Sequence, residues 1–144
     1  LPVAQVTITE SGLLALCRQQ SDLCASGANS RYRNIRFDLK SGGMVVYVDL
    51  RAGPVWQRVG LVMRIDATGV MNVIGVDVAG TTYNPQVLPS ILPGDLRMAI
   101  AEGVEDIEQL GRDLLVQAAL DMGERRYRIR SVSVTEQSLM LLLQ

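Results

Sequence analysis

The stretch DLRMAIAEGVEDIEQLGRDLLVQAAL, residues 95–120, decides the fold. At about 100° per residue, its small and apolar side chains fall within one arc of about 160°. These residues are Leu96, Ala99, Ile100, Gly103, Val104, Ile107, Leu110, Gly111, Leu114, Leu115 and Ala118. The pattern predicts one amphipathic helix over residues 96–120, about 37 Å long at about 1.5 Å per residue. Asp95 is the predicted N-cap and Gly123 the predicted stop.

Short runs in which apolar and polar residues alternate lie on both sides of this helix, as is typical of β-strands. They span residues 3–9, 35–40, 44–51, 58–66, 70–78, 127–134 and 139–143. The turn sequences Ser41-Gly42-Gly43 and Ala67-Thr68-Gly69 join successive runs, so the strands they connect are predicted to be antiparallel neighbours. In the fifth run, Ile74 is predicted to share the inner face with Val76, and Val73 to lie on the opposite face.

Two further segments complete the predicted architecture. Thr9 suits a helix N-cap and Glu10 a first turn, which predicts a short N-terminal helix with Cys17 on its buried side. Three prolines within residues 83–96 exclude a regular helix or a central strand there. We therefore predict one α+β domain over residues 1–144, in which a curved antiparallel β-sheet is wrapped around one long amphipathic helix, with the short helix beside it.

The composition argues against several classes of function. The chain has 144 residues and no histidine, which removes the commonest general base and the commonest metal ligand. Its formal net charge is −1 and aromatic residues make up only 4% of it, which argues against nucleic-acid binding. No phosphate-binding glycine loop is present. We predict that the protein is not an enzyme and that it has no catalytic residues, no cofactor and no metal site.

Charged residues form two clusters in the sequence. The helix acids are interpreted as a solvated face rather than a calcium or glycosidase site; they are Glu102, Glu105, Asp106 and Glu108. Arg126, Arg128 and Arg130 alternate along one predicted strand, so their side chains are expected on one face. They could hold an anionic headgroup, or they could offset the charge of the acidic helix, and the second interpretation is favoured. A β-bulge is predicted near Arg130–Ser131, where the inward phase slips.

Cys17 and Cys24 are the only cysteines. On one continuous helix their Cα atoms would lie about 10 Å apart, which is too far for a disulfide. If the helix ends near residues 19–21 and the chain folds back, a bridge becomes possible; two buried free thiols are the alternative. A close pair in a chain that begins at Leu1 favours an oxidised bridge and an extracytoplasmic location. A signal peptide or membrane anchor could have preceded Leu1.

Three segments carry a resemblance to a known group of proteins. They are VTITESGLLALC (residues 6–17), DATGVMNVIGVDV followed by NPQVLPSILP (residues 66–78 and 84–93), and YRIRSVSVTEQSLMLLL (residues 127–143). The chain resembles the LmeA-type phospholipid-binding family, the YceB-type lipoproteins and the YpmS-type anchored proteins. These are bacterial extracytoplasmic relatives of tubular lipid-binding domains. The resemblance implies an antiparallel sheet wrapped on a long helix, with lipid-type ligands between them.

Two functions follow as hypotheses. The first is a non-enzymatic extracytoplasmic module that binds a lipid or another apolar small molecule, and that meets a membrane surface through a missing N-terminal anchor. The predicted apolar lining is Met44, Trp56, Met63, Met71, Ile100, Val104, Ile107 and Leu110, with Arg126, Arg128 and Arg130 as headgroup candidates. The second is a protein-interaction or assembly domain with a filled core. A wide cavity between helix and sheet would distinguish the two.

Gly103 and Gly111 interrupt the apolar arc of the long helix. A glycine inside a helix costs roughly 1 kcal/mol relative to alanine, so two of them on the buried side need a reason. We predict that a strand or the proline-rich link approaches the helix closely at both positions.

Overall fold

Strands and helices follow one another along the chain in nearly the predicted order. The computed structural model describes residues 4–25, 31–120 and 128–144. Its strands are β1 (Ala4–Thr9), β2 (Tyr32–Lys40), β3 (Gly43–Ala52), β4 (Val55–Ile65), β5 (Met71–Val78), β6 (Thr81–Tyr83), β7 (Ile129–Val134) and β8 (Ser138–Leu143). Its helices are α1 (Glu10–Gln20) and α2 (Gly94–Leu120). The α+β class, the long helix and the short helix are confirmed; the predicted stop at Gly123 lies outside the described residues.

The described strands form two open antiparallel sheets rather than the single sheet that was predicted. Five strands pair in the order β2-β3-β4-β5-β6, and three in the order β1-β8-β7. Strand β7 meets the larger sheet at its turns, where Val132 N–H donates to Ala67 O at 2.9 Å and Gly42 N–H to Val134 O at 3.1 Å. These bonds involve turn residues, so no ladder joins the two sheets.

Helix α2 packs against β3 and β5 of the larger sheet. Of the eleven residues in the predicted arc, eight are buried and three are half-buried. Ile100 and Ile107 are 0% and 1% exposed, and they lie near the middle of this packed side. Among the polar residues of α2 outside this arc, Asp106 and Glu108 are half-buried. The exposed ones are Glu102, Glu105, Gln109, Arg112 and Asp113.

Helix α1 is fastened at both of its ends. Thr9 is its N-cap, as predicted, and its hydroxyl accepts a hydrogen bond from Gly12 N–H at 3.1 Å. Glu10 accepts from Leu39 N–H on β2 at 3.0 Å, which ties the first turn of α1 to the sheet. At the other end the chain turns back after Gln20, and a disulfide joins Cys17 to Cys24 with their Cα atoms 5.6 Å apart.

The predicted faces of Val73 and Ile74 in β5 are wrong. A β-bulge between Val62 and Met63 shifts the register against β5, so Val73 points inward at 6% exposed while Ile74 is 50% exposed. The sequence pattern placed these two residues on the opposite faces, because simple alternation does not anticipate a bulge. The chain also forms a short edge strand, β6, which was not predicted, before the proline-rich segment.

The beginning of α2 and the end of β7 show two further local outcomes. Asp95 is not the N-cap: α2 starts at Gly94, and Arg97 N–H bonds to Pro93 O at 3.0 Å, which places Asp95 in the first turn. A first-turn acid still suits the helix dipole. The bulge predicted near Arg130–Ser131 is confirmed, since the β7–β8 register shifts between Ile129 and Ser131.

Two polar contacts hold α2 in place over the larger sheet. Tyr32 on β2 donates its hydroxyl proton to Asp106, and Glu108 accepts from Val73 N–H on β5 at 2.8 Å. Burial, and then the hydrogen bond to Asp106, raise the pKa of Tyr32 well above its ordinary value. These hydrogen bonds join α2 to β2 on one side and to β5 on the other.

Ile107→Asp is expected to prevent folding, because it buries an unpaired carboxylate among apolar side chains. The loss should exceed the about 2–5 kcal/mol that truncating a buried isoleucine to alanine costs. Thermal unfolding followed by circular dichroism measures it. Met98→Asp, at a 65% exposed position of the same helix, is the matched control and should melt within a few degrees of wild type. A wild-type transition for Ile107→Asp would contradict the assignment of this helix face.

Tyr32→Phe is expected to lower the free energy of unfolding by about 1–2 kcal/mol at pH 8, because it removes a hydrogen bond to a carboxylate. The pKa of Tyr32 is raised in the folded state, so its contribution is full below the unfolded-state value of about 10 and is lost as the pH rises above it. Urea unfolding at pH 8 and pH 11 should therefore show a smaller difference from wild type at pH 11. Tyr83→Phe on β6 is the control, and an equal difference at both pH values would contradict the argument.

Candidate functional site

The interior between α2 and the larger sheet is the predicted ligand site. Five of the predicted lining residues surround one gap there: Met44, Met63, Met71, Ile107 and Leu110. The rest of its wall is Leu13, Phe37, Val46, Gly111, Leu114 and Leu115. The gap has a volume of about 10 Å³, which is about the space that one water molecule needs. A gap of this size is too small for an acyl chain, so the predicted apolar lining stays a prediction.

Three predicted lining residues lie elsewhere. Ile100 is fully buried but does not border the gap, and Val104 is half-buried on the same helix. Trp56 pairs with Arg51 across β3 and β4, on the side of the sheet that faces away from α2. Successive residues of a strand face opposite sides of the sheet. The neighbouring pair of the register, Ala52 with Val55, belongs to the α2 side, so the pair Arg51 with Trp56 belongs to the other side.

The predicted headgroup residues form no site among the described residues. Arg126 lies outside the described part of the chain, and Arg128 and Arg130 are exposed and form no salt bridge there. The helix acids are offset by another residue: Arg31 contacts Glu102 at 3.1 Å and Asp106 at 2.9 Å. The interpretation that the Arg126–Arg130 strand balances the acidic helix is therefore not supported by these contacts.

A second cluster of side chains covers the outer face of the larger sheet. On β3 and β4 the residues between the inward-pointing ones alternate outward, which brings arginines, aromatic rings and one carboxylate together. The members are Arg33, Arg36, Tyr47, Asp49, Arg51, Trp56 and Arg58, which we call the arginine–aromatic network. Alternation within the runs 44–51 and 58–66 puts Tyr47 and Arg58 on the face opposite the buried residues, but the sequence does not show which of the outward residues meet.

The contacts within the arginine–aromatic network form one continuous series across three strands. The guanidinium carbon of Arg36 lies 4.9 Å from the centre of the Tyr47 ring, and that of Arg58 lies 5.7 Å from it. Arg58 then contacts Asp49 at 3.1 Å.

The same series continues on the other side of Asp49. Arg33 contacts the Asp49 carboxylate at 3.7 Å, and Asn34 donates to it at 2.8 Å. The guanidinium of Arg33 lies 4.1 Å from the Trp56 ring, and that of Arg51 lies 6.0 Å from it. These separations are those of cation–π pairs, so rings and carboxylate hold the four guanidinium groups in place.

The glycine at position 60 allows the Tyr47 ring to lie across β4. Gly60 pairs with Tyr47 in the register, and an added Cβ there would lie 3.1 Å from Tyr47 Cε1. The missing side chain also leaves an open groove of about 270 Å³ beside the ring, bordered by Arg58 and, on the far side, by Asp77 and Gly80. The groove runs along one flank of the arginine–aromatic network.

The arginine–aromatic network has the chemistry of a binding surface. Four arginines and one aspartate give it a net charge of +3. Arg33 and Arg58 keep about half of their side-chain surface exposed, at 50% and 45%, whereas Asp49 is only 15% exposed. Arginine, tyrosine and tryptophan are also the residues enriched at the energetic centres of protein interfaces. Its groups suit recognition of negative charge.

No protein-family model, no curated protein and no solved structure matches the chain. The resemblance to the LmeA-type family therefore stays a prediction. Among the residues that the structure describes, no helix is both long and apolar enough to cross a membrane.

Gly111→Ala is expected to destabilise the domain by about 1–2 kcal/mol, because the added Cβ would overlap Met71 Sδ beside a gap too small to take up the displaced side chain. The gain in helix propensity, up to about 1 kcal/mol, does not offset the overlap. In a Met71→Ala background the same change should become neutral or stabilising. Urea unfolding of the two single variants and the double variant measures this coupling, and additive effects would contradict the close approach.

Proposed function

We propose that this chain is a non-enzymatic protein-interaction or assembly domain that works through its surface. The observation that carries the proposal is the filled interior: the gap between α2 and the larger sheet measures about 10 Å³. Pockets that bind small molecules usually measure about 300–1,000 Å³. The arginine–aromatic network, by contrast, is a half-exposed surface with the residue types of an interface centre.

The acidic side chains of α2 support the non-enzymatic part of the proposal. Glu102 and Asp106 pair with Arg31, and Glu108 accepts from the Val73 amide, so these acids connect the helix to the strands. The sequence contains no histidine to act with them. The Cys17–Cys24 disulfide supports an extracytoplasmic location, where such bridges persist.

Binding of a lipid or another apolar molecule is the second candidate. It is favoured by the three methionines Met44, Met63 and Met71, which meet at one gap although they come from three different strands. Methionine side chains are flexible and could rearrange around a ligand. This candidate includes the resemblance to the LmeA-type family, contact with a membrane surface, and sheets that curve around an amphipathic α2.

A titration with a dansylated fatty acid, together with native mass spectrometry of protein purified from membranes, separates the two candidates. The interaction domain is expected to show the mass of the bare chain and no saturable binding. Saturable binding that Met63→Phe reduces, and that Met98→Phe leaves unchanged, would overturn the proposal in favour of the lipid site. The two variants make the same change at a buried and at an exposed methionine of 3% and 65% exposure.

A further inference from the structure

We propose that the arginine–aromatic network, with the groove beside it, binds an acidic segment of a partner polypeptide. This inference rests on the proposed function, because it names the surface and the chemical class of the partner. Its first support is charge. Asp49 is shared by Arg33 and Arg58, and neither Arg36 nor Arg51 forms a salt bridge with any described residue. The surface therefore carries positive charge that the described part of the chain does not neutralise.

The second support is the way in which the guanidinium groups are held. Arg36 and Arg33 lie over the rings of Tyr47 and Trp56, and Asp49 orients Arg33 and Arg58. A guanidinium stacked on a ring keeps its N–H groups at the rim, where they can form paired hydrogen bonds with a carboxylate. Because these arginine side chains are already ordered, they lose less conformational entropy when a partner binds.

The third support is shape. The groove of about 270 Å³ at Gly60 lies beside Tyr47 and Arg58, and its far wall contains Asp77, whose carboxylate accepts from Gly80 N–H at 3.0 Å. The open groove flanks the arginine–aromatic network, so an extended segment lying in it would have Arg58 within reach of its acidic side chains. The groove is lined by one arginine and one aspartate, so it supplies the shape, and the guanidinium groups of the arginine–aromatic network beside it supply the positive charge for an acidic segment.

A nucleic acid or a membrane fits the same face less well. The two rings are stacked under guanidinium groups, so they are not free platforms for bases. Membrane-surface binding needs apolar side chains that enter the acyl region next to the basic ones. The two most exposed large apolar side chains among the described residues, Val87 at 72% and Ile91 at 83%, belong to the segment that follows β6 and not to the network.

The test uses a fluorescein-labelled decaglutamate peptide and fluorescence anisotropy at 25 mM and 300 mM salt. Arg36→Glu/Arg58→Glu is expected to weaken binding at least tenfold, and Arg36→Lys/Arg58→Lys about threefold, because lysine lacks the planar fork. Arg128→Glu/Arg130→Glu is the matched control: it makes the same change in net charge at two exposed arginines outside the network, and should change affinity less than twofold. Arg36→Gln/Arg58→Gln, with its thermal unfolding, tests whether the effect comes from a disturbed fold.

Three outcomes would overturn the inference. Equal weakening by the two charge-reversed pairs would show attraction to net charge alone. Tighter binding of a ten-nucleotide oligothymidylate, or of vesicles of three parts phosphatidylcholine to one part phosphatidylglycerol, would assign the face to another class of partner. Self-association without peptide binding would assign it to a second copy of the chain. None of these outcomes tests the interior, whereas saturable fatty-acid binding there would count against the proposed function itself.

Discussion

The packing of α2 on the inner face of the larger sheet is the constraint on which the rest of the structure depends. Ile100 and Ile107 are buried to within 1% of their surface, and Gly103 and Gly111 bring the helix close to the side chains of Leu50 and Met71. As predicted, it is strand residues that approach the two glycines. This close contact fills the interior with apolar side chains, and the charged and aromatic side chains of the arginine–aromatic network lie on the outer face of the sheet.

The inner and outer faces of β3 and β4 follow from the same alternation. Each inward residue that packs under α2 has an outward neighbour, so the core positions Val46 and Val48 place Tyr47 and Asp49 outside. The cross-strand register then decides which outward residues meet. Gly60 opposite Tyr47, and Arg58 opposite Asp49, are consequences of one hairpin whose turn lies at Gly53 and Pro54. The filled core and the arginine–aromatic network are therefore two results of one strand pairing.

Local periodicity was enough to predict the elements, whereas register and packing volume decided the site. The 3.6-residue repeat over residues 96–120 identified α2, and alternation identified seven of the eight strands; β6 escaped because it has only three residues. The β-bulge in the β4–β5 pair, where Ile74 has no partner in the register, reversed the faces of Val73 and Ile74, which alternation alone cannot reveal. The three methionines border one gap, and whether they could enclose a larger cavity depends on side-chain rotamers around a volume of about 10 Å³, which the sequence does not reveal. The arginine–aromatic network depends on pairs such as Arg51 with Trp56, whose members lie on different strands. The residue pattern of one strand therefore does not reveal them.

The smaller sheet has a consequence for how the chain is made. Strand β1 pairs with β8, so that Ala4 lies opposite Leu143, and the strand that is synthesised early has its partner among the last residues of the described chain. Strand β1 cannot pair until β8 has been synthesised, and closing this pair brings together residues 4 and 143. The helix and the five-stranded sheet contain only segments that are complete earlier. The larger sheet and α2 contain no part of β1 or β8, so they can assemble without this pair, and the pairing of the two distant segments completes the smaller sheet.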